Sequence, residues 1–356
     1  MKPFFSVIIP VYNVSPYLKV CLDSLLEATK KILEGENVSI EFICVNDGST
    51  DESMKILEEF TLKFNSHSSL INYQVYSQAN KGLGATRNEG LNRAKGAWIL
   101  FVDSDDFVSE EYFLELWHCI KMHAPSVVHF GHLNVYSQDI DKNLLGNVSR
   151  CFTLTKDAKE IFKILYSATA WNLCYRRDVI ANTQFENITP GEDALFNSAI
   201  LANVKSIAKI PISLYCYLQR PNSLMHKKEI SFNQLHSCMI AFCGRFHCAK
   251  EWEHYTKITK ELYKLIRTTF LGQDGQMLRS MCKDKTKAWD EYCKLGYTIY
   301  SSKIGCIPCY IRLLGEFIFK FKIYSLWLLL MYFPMQIRIF LLKFGCVRKL
   351  KMIIRS

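Results

Sequence analysis

Three carboxylates crowd the end of one apolar run: residues 97–106 read AWILFVDSDD, so that Asp103, Asp105 and Asp106 follow the apolar stretch 98–102 directly. An unbroken apolar run of that length marks a strand buried on both faces, as in a parallel sheet. Ligands of open α/β sheets collect just beyond the carboxyl ends of such strands. Carboxylates set so close repel one another unless a cation relieves them. The hard divalent ions Mg²⁺ and Mn²⁺ take oxygen ligands and commonly share them with a phosphate. This segment alone therefore points to metal-assisted phosphate chemistry.

Further candidates lie at other strand ends. Asp47 closes the expected strand 40–45 inside the turn cluster NDGSTD. Its carboxylate could accept from a pyrimidine N–H or from ribose hydroxyls, or the cluster could be an ordinary strand-to-helix turn. The segment QANKGLGATRN, 78–88, supplies Lys81, two glycines and Arg87. Gly82-x-Gly84 is half of a dinucleotide fingerprint, but Arg87 takes the third glycine position and the segment follows the third strand, not the first. Both points count against a nicotinamide site, and no G-x-x-x-x-G-K loop occurs. Gly191-Glu192-Asp193 precedes an apolar helical run, 194–202. Acids suit a first helical turn, and a carboxylate reaching the sheet edge from a separate segment could also act as a general base.

The elements that must position these groups alternate along the chain. FSVIIPV, 5–11, reads as a strand. Ser15 as N-cap and Pro16 at the first position then start a helix, whose buried face is Leu18, Leu22, Leu25 and Leu26. A strand at 40–45, a helix with Leu57, Phe60 and Phe64 inward, a strand at 71–76, a glycine-containing helix at about 82–95 and a strand at 97–102 come next. That alternation predicts a mainly parallel, doubly wound α/β sheet. Beyond 110 a helix from Ser109, a strand at 127–136 and a mixed region lead to a mainly helical stretch at 229–302.

The chain has 356 residues, 49% of them hydrophobic and 22% charged, which implies a well-filled core and excludes global disorder. Its net charge of +10 sits mostly in 303–356, where ten Lys and Arg face one acid, Glu316. A nucleic-acid binder would spread such charge over its folded body, so no nucleic-acid partner is expected. Fourteen scattered cysteines favour a reducing compartment. The opening MKPFFSVIIPVYN is broken by Pro10 and reads better as a strand than as a signal peptide. A cytoplasmic catalytic body is therefore expected.

Taken in order and spacing, SVIIPVYN, VNDGSTD, QANKGLGATRNEGL, FVDSDD and GED resemble the inverting family 2 glycosyltransferases, and the resemblance covers roughly 4–225. It implies a GT-A nucleotide-sugar fold and a donor carried on UDP. Pro10, Tyr12 and Asp47 would then line the base pocket, with Lys81 and Arg87 along the nucleotide and Asp103 near the ribose. Asp105 would hold Mn²⁺ or Mg²⁺ as the ligand of a DxD-type motif. Asp193 would be the catalytic base, with Glu192 the second candidate. The segment YCYLQRPNSLMH, 215–226, also resembles a family feature that folds over the diphosphate. There Arg220 would neutralise phosphate charge and His226 would complete the metal shell; His226 by itself could equally be a surface histidine. Leu173 stands where relatives often carry lysine after Trp171-Asn172. Two other kinds of protein fit the same carboxylates: a nucleotidyltransferase or phosphohydrolase, and a non-catalytic, membrane-bound nucleotide-sugar binder.

His236, Cys243, His247 and His254 fall on roughly one helical stripe, but a zinc site would need ligands from elsewhere. Cys306-x-x-Cys309 lacks a surrounding redox fold. The tail's uncharged run 323–337 is interrupted by Pro334 and falls short of the ~20 residues a spanning helix needs. Basic and aromatic flanks suit a helix lying in the headgroup layer of an anionic membrane; a core helix and a tilted or re-entrant span are the other options. Attachment at the inner face of the cell membrane would suit a glycan acceptor on a polyprenyl diphosphate, as in surface polysaccharide, capsule or lipopolysaccharide assembly. The expected organisation is a glycosyltransferase domain at 1–225, a helical extension at 226–302 and a basic amphipathic tail at 303–356.

Overall fold

Phe5–Val11 forms β1 with every residue buried, and Ile40–Asn46 forms β2 in the same state. Both need neighbours on two edges and layers on two faces, and both have them. The computed structural model describes residues 2–138 and 151–220 and scattered positions between 237 and 258. Helix α1 (Ser15–Leu33) and helix α2 (Ser53–His67) connect β1, β2 and β3 (Ile71–Ser77). Helix α3 (Leu83–Arg93) leads to β4 (Trp98–Phe101), followed by the short β5 (Phe107–Val108) and α4 (Tyr112–His123). Then come β6 (Val127–Val135), β7 (Thr153–Thr155), α5 (Ala158–Ser167), β8 (Leu173–Arg176), α6 (Arg177–Ile180), α7 (Glu192–Ala199) and β9 (Ile207–Leu218).

The strands join one sheet in the order β3-β2-β1-β4-β8-β6-β9-β5, with β7 pairing β9. The first four are parallel, as the alternating sequence predicts. The second half adds short antiparallel pairings to this parallel sheet. Strand β8 runs antiparallel to both β4 and β6, and β9 is parallel to β6 but antiparallel to β5 and β7.

The start of α1 is also different from the expected serine cap. Ser15 is already helical, the N-cap is Val14, and no side chain of its own caps it. The cap comes from Asp51 in the NDGSTD turn, which accepts from Ser15 N at 2.9 Å and from Ser53 N at 3.0 Å. One carboxylate thus serves the first turns of α1 and α2 together. Burial works against its charge, but hydrogen bonds from Ser53 and Ser15 prevail and hold the carboxyl down at about 2.

The chain divides into two compact units, the first comprising 1–228 with 240–258 and the second 229–239 with 259–356. Nearly all of the second, including the expected tail, lies outside the described residues. No helix among the described residues is long and apolar enough to cross a membrane.

Candidate functional site

Strand order reverses beside β1: β2 and β3 lie to one side and β4 to the other. In such sheets the crevice beyond the carboxyl ends of the two strands at the reversal is the natural ligand site. Tyr12 follows β1 and is 51% exposed there, while Pro10 is buried within the strand. Asp103 to Asp106 follow β4 at the same edge.

The carboxylate loop is built by groups far away in sequence. Asp106 N donates to Asp103 O at 3.1 Å, closing a turn. Tyr215 on β9 accepts from Asp103 N at 3.1 Å through its hydroxyl, which in turn donates to Asp106 Oδ2 at 2.8 Å. Leu218 N donates to Asp106 Oδ1 at 2.8 Å. Asp106 is wholly buried and fastens the loop to β9. Burial, then the charges of Asp105 and Asp103, push its carboxyl well above the ordinary range.

Asp105 forms an ion pair with Arg220, whose guanidinium also lies 5.0 Å from the centre of the Tyr17 ring. Burial and Asp103 nevertheless hold the Asp105 carboxyl above its ordinary value, with Arg220 only opposing them. The negative charge at this edge is therefore incompletely relieved by the protein's own cations. Hard oxygen donors with surplus negative charge fit a divalent cation such as Mn²⁺ or Mg²⁺. Among the described residues no three His, Cys, Asp or Glu side chains form a ready cage, and His226 lies outside them.

Arg87 joins the two sides of the crevice. Its side chain is 2% exposed, Nη2 lies 2.8 Å from Asp103 Oδ1, and Nη1 lies 3.0 Å from Glu192 Oε1. Burial opposes the guanidinium charge, but Asp103 and Glu192 outweigh it and keep Arg87 firmly protonated. Both terminal nitrogens of Arg87 are thus paired inside the protein, at the edge where a nucleotide is expected. Glu192 is likewise an internal partner, with burial pushing its carboxyl up against the pull of Arg87. That leaves Asp193, the next residue, half-buried in the first turn of α7, its Oδ1 accepting from the adjacent Ala194 N at 2.7 Å.

Asp47 is 3% exposed, and its carboxylate accepts from Gln78 Nε2 at 2.7 Å, Lys81 N at 2.9 Å and Gly82 N at 2.9 Å. Among the described residues, three of its about four lone-pair positions are filled. Its plain effect is to fix the 78–82 loop, while the Lys81 side chain stays exposed. Asn13 and Ser49 tie the neighbouring loops: Asn13 N donates to Ser49 Oγ at 3.1 Å and Thr50 N donates to Asn13 Oδ1 at 2.8 Å. The two glycines of 82–84 have backbone reasons. Gly82 sits at φ +92°, and a Cβ on Gly84 would come within 2.5 Å of the Glu186 carbonyl oxygen.

Sequence reasoning missed Gln78, Tyr215 and the role of Asp106; only the aromatic content of 215–217 was a signal for the second. Leu173 is fully buried on β8. Of the histidine–cysteine stripe, His254 pairs with Glu253 at 3.2 Å, and His236, Cys243 and His247 lie outside the described residues, as does Cys306-x-x-Cys309.

Residues 6–181 match the family model Glycosyl transferase family 2. The uncharacterized glycosyltransferase EpsJ of Bacillus subtilis (strain 168) is 32% identical over 234 residues, which is 63% of this chain and 63% of EpsJ. The poly(ribitol-phosphate) beta-N-acetylglucosaminyltransferase TarS of Staphylococcus aureus (strain MW2) is 26% identical over 216 residues, 60% of this chain and 35% of TarS. The chain thus spans less than two thirds of the length of these curated relatives. In fold it is similar to the crystal structure of S. aureus TarS 1–349 in complex with UDP-GlcNAc, with a TM-score of 0.68 at 19% identity, over 91% of this chain and 89% of that one.

Proposed function

From the match of residues 6–181 to glycosyl transferase family 2, we propose that the protein transfers a sugar from a UDP donor to a hydroxyl of a surface-polymer glycan, with inversion at the anomeric carbon. Support for the donor comes from the fold shared with a UDP-GlcNAc complex, and for the acceptor class from the poly(ribitol-phosphate) named for TarS.

The observation that carries the proposal is the Asp103–Arg87–Glu192 bridge. It sets the end of β4, where the nucleotide would sit, at a fixed separation from the first turn of α7, where Asp193 stands. Asp193 takes the proton from the acceptor hydroxyl as that oxygen attacks the anomeric carbon from the face opposite the leaving nucleotide. Asp47 accepts from the base, and Pro10 and Tyr12 flank it. Arg220 neutralises charge on the departing diphosphate. Asp105, with Asp103 beside it, would hold Mn²⁺ or Mg²⁺, which when bound would stabilise the same developing charge. The acceptor is a glycan on a lipid diphosphate carrier, reached from a membrane surface to which the basic 303–356 segment attaches.

The test is nucleotide release from a panel of nucleotide sugars with Mn²⁺ or Mg²⁺ and lipid-linked acceptors. Asp193→Asn should lose about 10²- to 10⁴-fold in turnover while still binding UDP. Unimpaired turnover in that variant would overturn the proposal and favour a phosphohydrolase or nucleotidyltransferase, which needs no base on an acceptor. Asp105→Ala should abolish the metal dependence.

A further inference from the structure

Strands β6 and β9 carry a row of groups that the donor chemistry does not use. They pair in parallel with His132 beside Tyr215 and Asn134 beside Tyr217. Alternate residues point to opposite faces of a sheet, and here the two faces differ sharply. On one, Leu133, Val135, Cys216 and Leu218 join an apolar cluster that packs on Tyr17 and Val20. The other is aromatic and polar; its inner members Trp171 and Tyr215 are buried and its outer members open. Trp171 stacks on Tyr215 at 4.7 Å and on Tyr217 at 5.3 Å, with ring planes within 17° and 15° of parallel. His132 meets Trp171 edge-on at 4.9 Å. Gln219 Nε2 donates to Asn134 Oδ1 at 3.3 Å. His132 and Asn134 are exposed, Tyr217 and Gln219 half-buried, and Tyr136 at the outer end is 84% exposed.

We propose that this row, from Trp171 outward to Tyr136, is the binding track for successive sugar units of the acceptor, so that the protein acts on a glycan chain in preference to a free monosaccharide. The inference rests on the glycosyl-transfer reading and deepens it. Sugar rings offer C–H faces to aromatic rings and hydroxyls to amides and imidazoles, and the row supplies those groups with no charged side chain among them. A membrane surface would call for lysines and arginines, and a stable protein partner for a more apolar centre. Position argues the same way. The row touches the site at two points: the hydroxyl of Tyr215 also bonds Asp103 N, and past Gln219 the chain reaches Arg220, paired with Asp105. From His132 to Tyr136 the strand covers roughly 13 Å, more than one sugar ring.

Binding of chitotetraose, cellotetraose and maltotetraose, and of the corresponding monosaccharides, to the full chain at saturating UDP tests the track by tryptophan fluorescence and saturation-transfer NMR. At least one tetrasaccharide should bind about tenfold more tightly than its monosaccharide. The double variant Asn134→Ala/Tyr136→Ala should lose about that factor with its UDP affinity unchanged. Intact UDP binding with no preference for chain length, or with a preference that the double variant retains, would overturn the track alone. Absence of UDP binding in the wild type would instead sink the glycosyl-transfer reading on which it rests.

Discussion

Arg87→Met tests the bridge most directly, because it removes a cation that two carboxylates share while roughly keeping the buried volume. Arg87 is 2% exposed and Glu192 is 7% exposed at the side chain, so neither can turn to water. Removing one partner of a buried pair costs about 3–5 kcal/mol, since the charge left behind is uncompensated. The penalty should depend on pH with a definite sign. Burial already pushes the Glu192 carboxyl up in the native protein, and Arg87 opposes it; the variant loses that opposition. Its folded state then binds more protons than its unfolded state from the ordinary carboxylate range up to the raised value, so stability falls as pH rises through that window. Urea denaturation followed by tryptophan fluorescence should therefore show a larger loss at about pH 7.5 than at about pH 5.5. Adding Glu192→Gln should recover part of the loss, with the double variant more stable than the sum of the single losses predicts. Turnover should stay about 10²-fold down, because α7 is no longer set against β4. A penalty that is the same at both pH values, or single losses that add within about 0.5 kcal/mol, would refute the bridge.

Tyr215→Phe removes the hydroxyl that holds Asp103 N and Asp106; it should cost about 1.5–3 kcal/mol and weaken UDP binding in calorimetry. The His129 imidazole is pushed down to about 4, first by burial and then by the charges of Lys209 and His132. The unfolded chain therefore binds the extra proton between about 4 and the ordinary 6.5, so up to about 3 kcal/mol of stability should disappear as pH falls through that window. His129→Gln should flatten this slope in denaturation curves. Gly84→Ala would press a Cβ to 2.5 Å from the Glu186 carbonyl, and a lowered thermal midpoint equivalent to about 1–3 kcal/mol is expected.

The first half of the fold was legible because it is written locally. β1, β2 and β4 are short runs in which apolar residues dominate, α1 and α2 carry period-3.6 apolar stripes, and carboxylates follow β2 and β4. The second half was less legible because β8 and β9 find their places through pairing with strands far away in the chain, and no local period reports direction. The site divides the same way. Asp103, Asp105 and Asp193 stand out by type and position. The task of Arg87 does not, since it is set by Glu192, 105 positions away, and that of Asp106 depends on Tyr215 and Leu218, 109 and 112 positions away. A buried arginine or aspartate gives no sign in sequence of which partner will satisfy it.

The bridge from Arg87 to Glu192 also bears on where this chain can be cut. The family match ends at 181, ahead of Glu192, and also ahead of β9, which lies between β6 and β5 in the sheet. An expressed fragment ending there would keep the buried guanidinium but lose one of its two counterions, and would leave the inner edges of β6 and β5 without a strand between them. Such a fragment should aggregate, whereas one carried past Arg220 keeps the bridge, β9 and the partner of Asp105. The shortest autonomous piece of this chain is set by where its last internal charge is answered, well beyond the end of the recognisable motif block.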